Sequence, residues 1–281
     1  MARLGKARLG PALQGKDHGS ARFGWSGFGS ARYGKARNAA RYGPAWLGTR
    51  IEKISKRFEK MDKVYEVTLE GRSGFLMHAD NIDWRDFMDK WTKDPENARN
   101  TKPGDDRTPA WRWLGAVYHD ERYVGLPSDN IMTCLREGGA KIPVAGKGKE
   151  TFKKRTQSGV MVNEIQWPIE VNGTTIPWPE VNKLLEEEDF SVHQETVKGL
   201  GFNLFVKGAR IGRSKHIRVR PRFDTWKATG TIVVFDESIT QDVLARVFDV
   251  AGKYCGIGDW RPSAQTSPGP WGKFEAKIRE V

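Results

Sequence analysis

Cysteine is nearly absent from this sequence. Cys134 and Cys255 are the two thiols among 281 residues, and neither has a second Cys or a His at metal-ligand spacing. A disulfide framework is therefore not indicated, and a reducing compartment is the simpler expectation. Long apolar runs are missing as well: none approaches the roughly 18–20 residues of a membrane span. The first residues carry Arg and Lys but no hydrophobic stretch, so no secretory signal is expected. An Arg-rich, acid-poor start resembles a mitochondrial presequence in composition. Ten glycines within those 50 residues oppose the amphipathic helix that a presequence needs. Histidine is scarce, and His18, His78, His119, His193 and His216 form no H-x-x-x-H or HExxH pair, so neither a metal site nor any other cofactor is expected. His78 lies near Asp80 and His119 near Asp120, but neighbouring residues of a strand point to opposite faces. No Ser/His/Asp or Cys/His arrangement is visible, and the expectation is a protein with no catalytic residues.

Acidic residues are scarce in two places, and there the basic character of the chain concentrates. The formal net charge is +12, yet residues 1–50 hold ten Lys/Arg against Asp17 alone. The remaining 231 residues hold 37 basic and 34 acidic groups and are close to neutral. The first segment is a degenerate repeat (ARLG, ARLG, ARFG, ARYG, ARYG, AWLG) whose glycines recur too often for a helix, so a disordered arm is expected. Two readings stay open for it: an arm whose Arg/Lys meet phosphate while Phe23, Trp25, Phe28, Tyr33, Tyr42 and Trp46 stack on bases, or a solvated extension without a role.

The second acid-poor stretch is 209–227, where Arg210, Arg213, Lys215, Arg218, Arg220, Arg222 and Lys227 accompany a single acid, Asp224. Arg218, Arg220 and Arg222 have strand spacing and project from one face, with Ile217, Val219 and Pro221 on the other. Pro221 indicates an edge strand or a hairpin arm. Guanidinium groups along such a ridge suit successive phosphates, which is favoured over a sheet edge merely blunted by charge. A further basic segment carries Lys147, Lys149, Lys153, Lys154 and Arg155. It lacks the G-x-x-x-x-G-K-[ST] pattern of a P-loop and reads equally as a basic flap or as a surface loop with little core character. In Gly256–Lys273, the glycines allow close backbone approach to phosphates, with Trp260 for stacking and Arg261 for charge. Alternatively Gly256 caps a helix and Trp260 fills the core.

Periodicity supplies the fold. IEKISKRFEKM places Ile51, Ile54, Phe58 and Met61 on one helical face. KVYEVTLEG alternates as a first strand, and GRSGFLMHA follows as a turn and short apolar strand. NIDWRDFMDKWTK reads as a helix and DPENARNTKPGDDRTP as an exposed loop. PSDNIMTCLREGG reads as a helix capped by Ser128 or Asp129 and closed by its glycines. WKATGTIVVFD is a strand. SITQDVLARVFDVAGKYCGIG is a helix with Val243, Leu244, Val247, Phe248, Ala251 and Tyr254 on its apolar face, and GKFEAKIREV is a last strand. Strand–helix–strand at the end, paired with the earlier strand–helix material, gives an α+β sandwich of ferredoxin-like type.

KVYEVTLEGRSGFLMHAD resembles the opening strand and turn of backbone subunits of CRISPR effector complexes, members of the RAMP superfamily. The run from Ala251-Gly252 through Gly256-Ile257-Gly258-Asp259-Trp260-Arg261-Pro262 to Trp271-Gly272-Lys273-Phe274 resembles the glycine-rich closing loop and last strand of the same group, and also uncharacterised phage proteins that share both features. GLPSDNIMTCLREGG is similar to their central helix. The resemblance spans most of 61–281, and residues 1–50 have no counterpart in it. It implies a modified RRM-like core with insertions that grips single-stranded nucleic acid, RNA or DNA, and stacks side by side as a homo-oligomer or filament. It carries over no nuclease residue, and the phage likeness implies the host cytoplasm. The expectation is thus a Gly/Arg-rich arm at 1–50 and one α+β nucleic-acid-binding domain at 51–281. The rival readings are an assembly protein without nucleic-acid contact and a nucleic-acid-processing enzyme.

Overall fold

The computed structural model describes residues 62–99 and 101–281. The expected arm at 1–50 and the amphipathic helix at 51–61 lie outside the described residues. In chain order the elements begin with β1 (Lys63–Gly71), β2 (Phe75–Leu76), α1 (Ile82–Lys93), the single turn α2 (Pro95–Ala98) and a 3-10 helix at Ala110–Ala116. Then follow β3 (Gly125–Pro127), α3 (Ser128–Gly139), α4 (Lys153–Ser158), β4 (Val160–Val162), β5 (Gln166–Val171) and β6 (Thr174–Thr175). After α5 (Trp178–Asn182) and a short 3-10 turn come α6 (Phe190–Gly199), β7 (Asn203–Ile211), β8 (Ser214–Phe223), β9 (Lys227–Val234), α7 (Gln241–Val250) and β10 (Phe274–Glu280).

Alternation builds the first strand as expected: β1 buries Tyr65, Val67 and Leu69 completely and turns Glu66, Thr68 and Glu70 to the other face. It pairs antiparallel with β10 on one side and β9 on the other. The sheet runs β10-β1-β9-β5-β3, with β4 on β9 and β6 on β5, all pairs antiparallel. This mixture of helices and antiparallel sheet is an α+β fold. Helices α3 and α7 pack on each other and on the sheet, joining Ile131, Leu135, Leu244, Val247 and Phe248 to its buried face.

The opposite face is polar. It carries a Thr68–Thr229 hydrogen bond and the ion pairs Glu66–Arg279 at 3.0 Å and Glu70–Lys277 at 2.7 Å.

Two local expectations are corrected. Chain passes from β3 straight into α3, so Pro127 occupies the cap position, and neither Ser128 nor Asp129 caps the helix. Gly138 and Gly139 close α3 as expected and are contact points as well: a Cβ on Gly138 would meet the Ala251 Cβ and the Val247 carbonyl, both at 2.8 Å. Tyr254 is 63% exposed, because after α7 the chain widens into a π-turn at Ala251–Cys255. The Gly256 N–H reaches the Ala251 carbonyl at 2.8 Å, and the extra residue in the turn brings Cys255 rather than Tyr254 into the core. Gly256 ends the segment at φ 69°, as expected of a glycine there.

A second, three-stranded sheet, β2-β8-β7, is a β-hairpin with β2 along one edge. Gly212 takes φ 59° at the first position of its two-residue turn, which suits the twist of the flanking strands. Its base is fixed by Phe75, Phe202 and Phe223, the last two stacked at 4.9 Å. The loop expected to be exposed at 94–109 is not wholly so. Asp105 and Asp106 are buried, and the Ile217 N–H donates to the Gly104 carbonyl at 2.7 Å, so this loop lines the hairpin.

Candidate nucleic-acid interface

The register of the hairpin sorts its basic residues onto two faces. Directly opposed residues of antiparallel strands share a face. Arg218, Arg220 and Arg222 therefore lie with their partners Lys207, Phe205 and Asn203. Val219, Pro221 and Phe223 are buried on the other face. The expected alternation holds, and Pro221 sits in a hairpin arm. Arg210 and Lys215, however, oppose each other on the reverse face from the arginine ridge, and Arg213 stands in the turn. The six residues do not form one continuous stripe.

Nor is the ridge free of acids. Asp106, 112 residues away from Arg218 in sequence, accepts from Arg218 Nη1 at 3.1 Å and from the Val219 N–H at 3.4 Å. Arg220 Nη1 and Arg112 Nε each lie 3.7 Å from the same carboxylate. Arg220 Nε also donates to Asp259 at 3.2 Å, and Arg222 Nη2 to Asp224 at 3.0 Å. The inner ridge is thus an ion-pair network in which the buried Asp106 and the more exposed Asp259 and Asp224 hold partly buried guanidinium groups. Sequence proximity showed only Asp224.

The outer hairpin differs. Lys207, Arg210, Arg213 and Lys215 are exposed, and among the described residues none has a carboxylate within ion-pairing distance. Beside Lys207, on the face opposite to Arg210 and Lys215, is an aromatic shelf. Trp260 adopts φ 51°, a left-handed conformation costly for a bulky residue. It is held by the Asp259 side chain, which accepts the Trp260 N–H at 3.0 Å, and by Gly269, where a Cβ would come within 2.4 Å of the Trp260 carbonyl. So posed, the half-buried indole meets Phe205 edge-on at 6.0 Å, and Lys207 Nζ sits 4.1 Å over its ring. Trp271 packs on the same Phe205 at 5.4 Å. Trp260 therefore neither plugs the core nor stands fully open. Phe205 and Lys207 were not singled out in the sequence, although F-V-K-G-A-R before a Gly-Arg turn is itself a strand pattern, and Trp271 was noted only as part of the glycine-rich run.

The remaining candidates go elsewhere. Arg261 is bound to Ser263, the Gly258 carbonyl and Glu137 of α3, and so closes the glycine-rich loop. Lys147, Lys149, Lys153 and Lys154 are exposed, but their segment packs on α3 and β4, whereas the hairpin packs on β2, the Ala110–Ala116 helix and α6. That segment has more core than expected: Phe152 and Thr156 are buried, Val144 and Glu150 close the loop at 2.9 Å, and Arg155 pairs with Glu150 at 2.9 Å.

His78 follows β2 outside any strand, so the alternation that would separate it from Asp80 does not apply. Both line a cavity of about 440 Å³ beneath β8, together with Trp84, Met88, Asp106, Arg112, Arg218 and Arg220. Burial, then the Arg220 charge, lower the His78 pKa. His193, wholly buried, has its pKa lowered by burial. It accepts from Trp113 Nε1 at 3.0 Å through Nδ1 and lies 3.0 Å from the Glu187 carbonyl through Nε2, the contacts of a neutral structural imidazole.

Among the described residues no cluster of His, Cys, Asp and Glu could hold a metal ion, and no helix is long and apolar enough to cross a membrane. No protein-family model and no curated protein matches the chain.

Proposed function

We propose that the chain binds single-stranded nucleic acid without cleaving it, and that the outer β7–β8 hairpin and its aromatic shelf are the interface. The observation that carries this reading is the exposed outer hairpin: Lys207, Arg210, Arg213 and Lys215 are without a carboxylate at ion-pairing distance among the described residues, Lys207 lies against the Trp260 indole on one face, and Arg210 and Lys215 extend the charge on the reverse face. Basic residues along an extended hairpin suit a phosphate backbone, and an aromatic ring suits an unstacked base whatever its identity. The cost of holding Trp260 in a left-handed conformation is a further support, because strain of this kind concentrates where a side chain must be presented. The inner ridge then acts as scaffold: Arg218, Arg220 and Arg222 fix the hairpin to Asp106, Asp259 and Asp224. Lys147, Lys149, Lys153, Lys154, Arg155 and Arg261 are assigned secondary or structural roles.

The resemblance to RAMP backbone subunits extends the proposal. An order of β10-β1-β9-β5 with α3 and α7 packed together supports a ferredoxin-like core, with the hairpin as an insertion. The polar open face of that sheet is internally ion-paired, which favours the hairpin over the sheet as the binding surface. Side-by-side assembly along the strand is part of the proposal, with nucleic acid raising the effective concentration of neighbours. Phage origin and the host cytoplasm follow from the same resemblance.

The test is fluorescence anisotropy with labelled single-stranded RNA, single-stranded DNA and duplex, at two salt concentrations. Saturable binding of single strands with a marked loss at high salt is expected, and labelled strands should remain intact with Mg²⁺. Absence of binding at low salt would leave an assembly protein as the better reading.

A further inference from the structure

The cavity beneath β8 carries positive charge and hydrogen-bond donors beyond what its own carboxylates use. Arg85 pairs with Asp80 at its rim. Arg112, Arg218 and Arg220 share Asp106 and Asp259, three guanidinium groups against two carboxylates. Their side chains are 14–33% exposed, so the surplus charge is only partly open to water. The donors are equally underused. Each guanidinium offers five N–H groups, yet among the described residues that of Arg112 donates no hydrogen bond and that of Arg218 donates one, to Asp106. None of these nitrogens is both buried and without a partner, so the spare donors are open to a ligand, and a planar guanidinium fork suits phosphate oxygens. His78, whose Nε2 lies 3.4 Å from Arg220 Nη2, is disfavoured as a cation by burial and by that same positive surroundings.

Apart from His78, Asn81 and the Asp80–Arg85 pair, the rest of the lining is apolar. Trp84, Met88, Trp113 and Gly115 form its wall, and Trp84 is braced edge-on by Trp111 at 5.7 Å. A volume of about 440 Å³ far exceeds what a lone phosphate fills and lies in the range of small-molecule sites.

We propose that this cavity binds the phosphate of a nucleotide on Arg112, Arg218 and Arg220, with the sugar and base against Trp84 and Met88. The inference rests on the nucleic-acid reading only for the source of the phosphate, which is either a free nucleotide or a strand. A cavity with one surplus positive charge and an aromatic wall takes an anion with a flat apolar part. It does not take a cation or a purely apolar ligand.

The experiment uses the full chain and adenosine 5′-monophosphate, adenosine and inorganic phosphate as probes, by calorimetry and by NMR of the histidine ring resonances. Adenosine 5′-monophosphate should bind saturably, at least tenfold tighter than adenosine or phosphate alone, and should move the His78 resonances while leaving those of His193 in place. Arg112→Glu should weaken this binding at least tenfold. Arg112→Gln, which adds no repulsive charge, serves if the glutamate variant fails to fold. In the second arm, strands with a 5′-phosphate and a 5′-hydroxyl are compared. Tighter binding of the phosphorylated strand, lost with Arg112→Glu, identifies a terminal phosphate. Equal binding of both, weakened by Arg112→Glu, identifies an internal one. No saturable binding of adenosine 5′-monophosphate, or binding that neither Arg112 variant changes, overturns the inference, and strand binding would then still stand on the hairpin. If the nucleotide binds and strands do not, the cavity is upheld and the hairpin reading fails.

Discussion

Asp106 is the residue on which the hairpin depends most, and Asp106→Ala is expected to destabilise the fold severely. Its side chain is 9% exposed and touches Arg218, Arg220, Arg112 and the Val219 N–H. Removing one partner of a fully buried ion pair costs about 3–5 kcal/mol, chiefly because the other charge is left without compensation. The guanidinium groups here keep 14–33% of their surface in water, so hydration recovers part of that. A loss of about 2–3 kcal/mol is the expectation, a large fraction of a typical domain's stability. Asp106→Asn keeps the volume and an acceptor for Val219, and should lose about 1–2 kcal/mol. Urea unfolding followed by circular dichroism measures both, with an unchanged m-value as the sign that compactness is unaltered. Arg213→Ala, at the exposed turn, is the control and should stay within about 0.5 kcal/mol of the parent. An Asp106→Ala protein within that same margin would refute the network as the hairpin's anchor. The same reasoning warns against Arg218, Arg220 and Arg222 changed together to Glu as a binding test, since new carboxylates beside Asp106 and Asp259 would unfold the region.

Other outcomes are expected on the same grounds. Burial holds the folded-state pKa of His193 and His119 below the ordinary histidine value, so their contribution is complete above about pH 6.5 and is lost as pH falls from there through the folded values. Unfolding free energy measured at pH 7.5 and 5.5 should therefore drop on acidification, by up to about 1.4 kcal/mol per pH unit for each of the two histidines; a flat profile would contradict it. Gly138→Ala should cost about 1–3 kcal/mol in urea, because its Cβ meets the Val247 carbonyl and Ala251; a stabilised variant would show that α3 and α7 can part freely. Light scattering during titration with strands of increasing length should show mass rising in steps of one chain, and a complex fixed at one chain on long strands would exclude side-by-side assembly.

Periodic features were legible in the sequence. β1, β9, β10 and most of α7 follow from alternation or helical spacing, because each buries one face against the same core. Tyr254 was misplaced because a π-turn shifts the face by one residue, and nothing local in AGKYC announces it. The alternation of Arg218, Arg220 and Arg222 was also legible, but their partners were not. Asp106 reaches them from a loop that reads as solvated, and Asp259 from a glycine-rich turn. Contacts 112 and 39 residues apart leave no periodic trace. The split of Arg210 and Lys215 from the ridge depends on strand register, which the run of basic residues conceals. The cavity, which joins residues 78–116 to β8, was invisible for the same reason.

The central claim is tested most directly by the salt dependence of single-strand binding in the parent and in a variant with Lys207, Arg210, Arg213 and Lys215 all changed to Ala. Each phosphate contact contributes about −0.7 to the slope of log K against log salt on single strands, so losing four should flatten that slope by about 2.8. Binding should weaken most at low salt, and the fold should be retained, since all four residues are exposed. An unchanged slope and affinity in a folded variant would contradict the account.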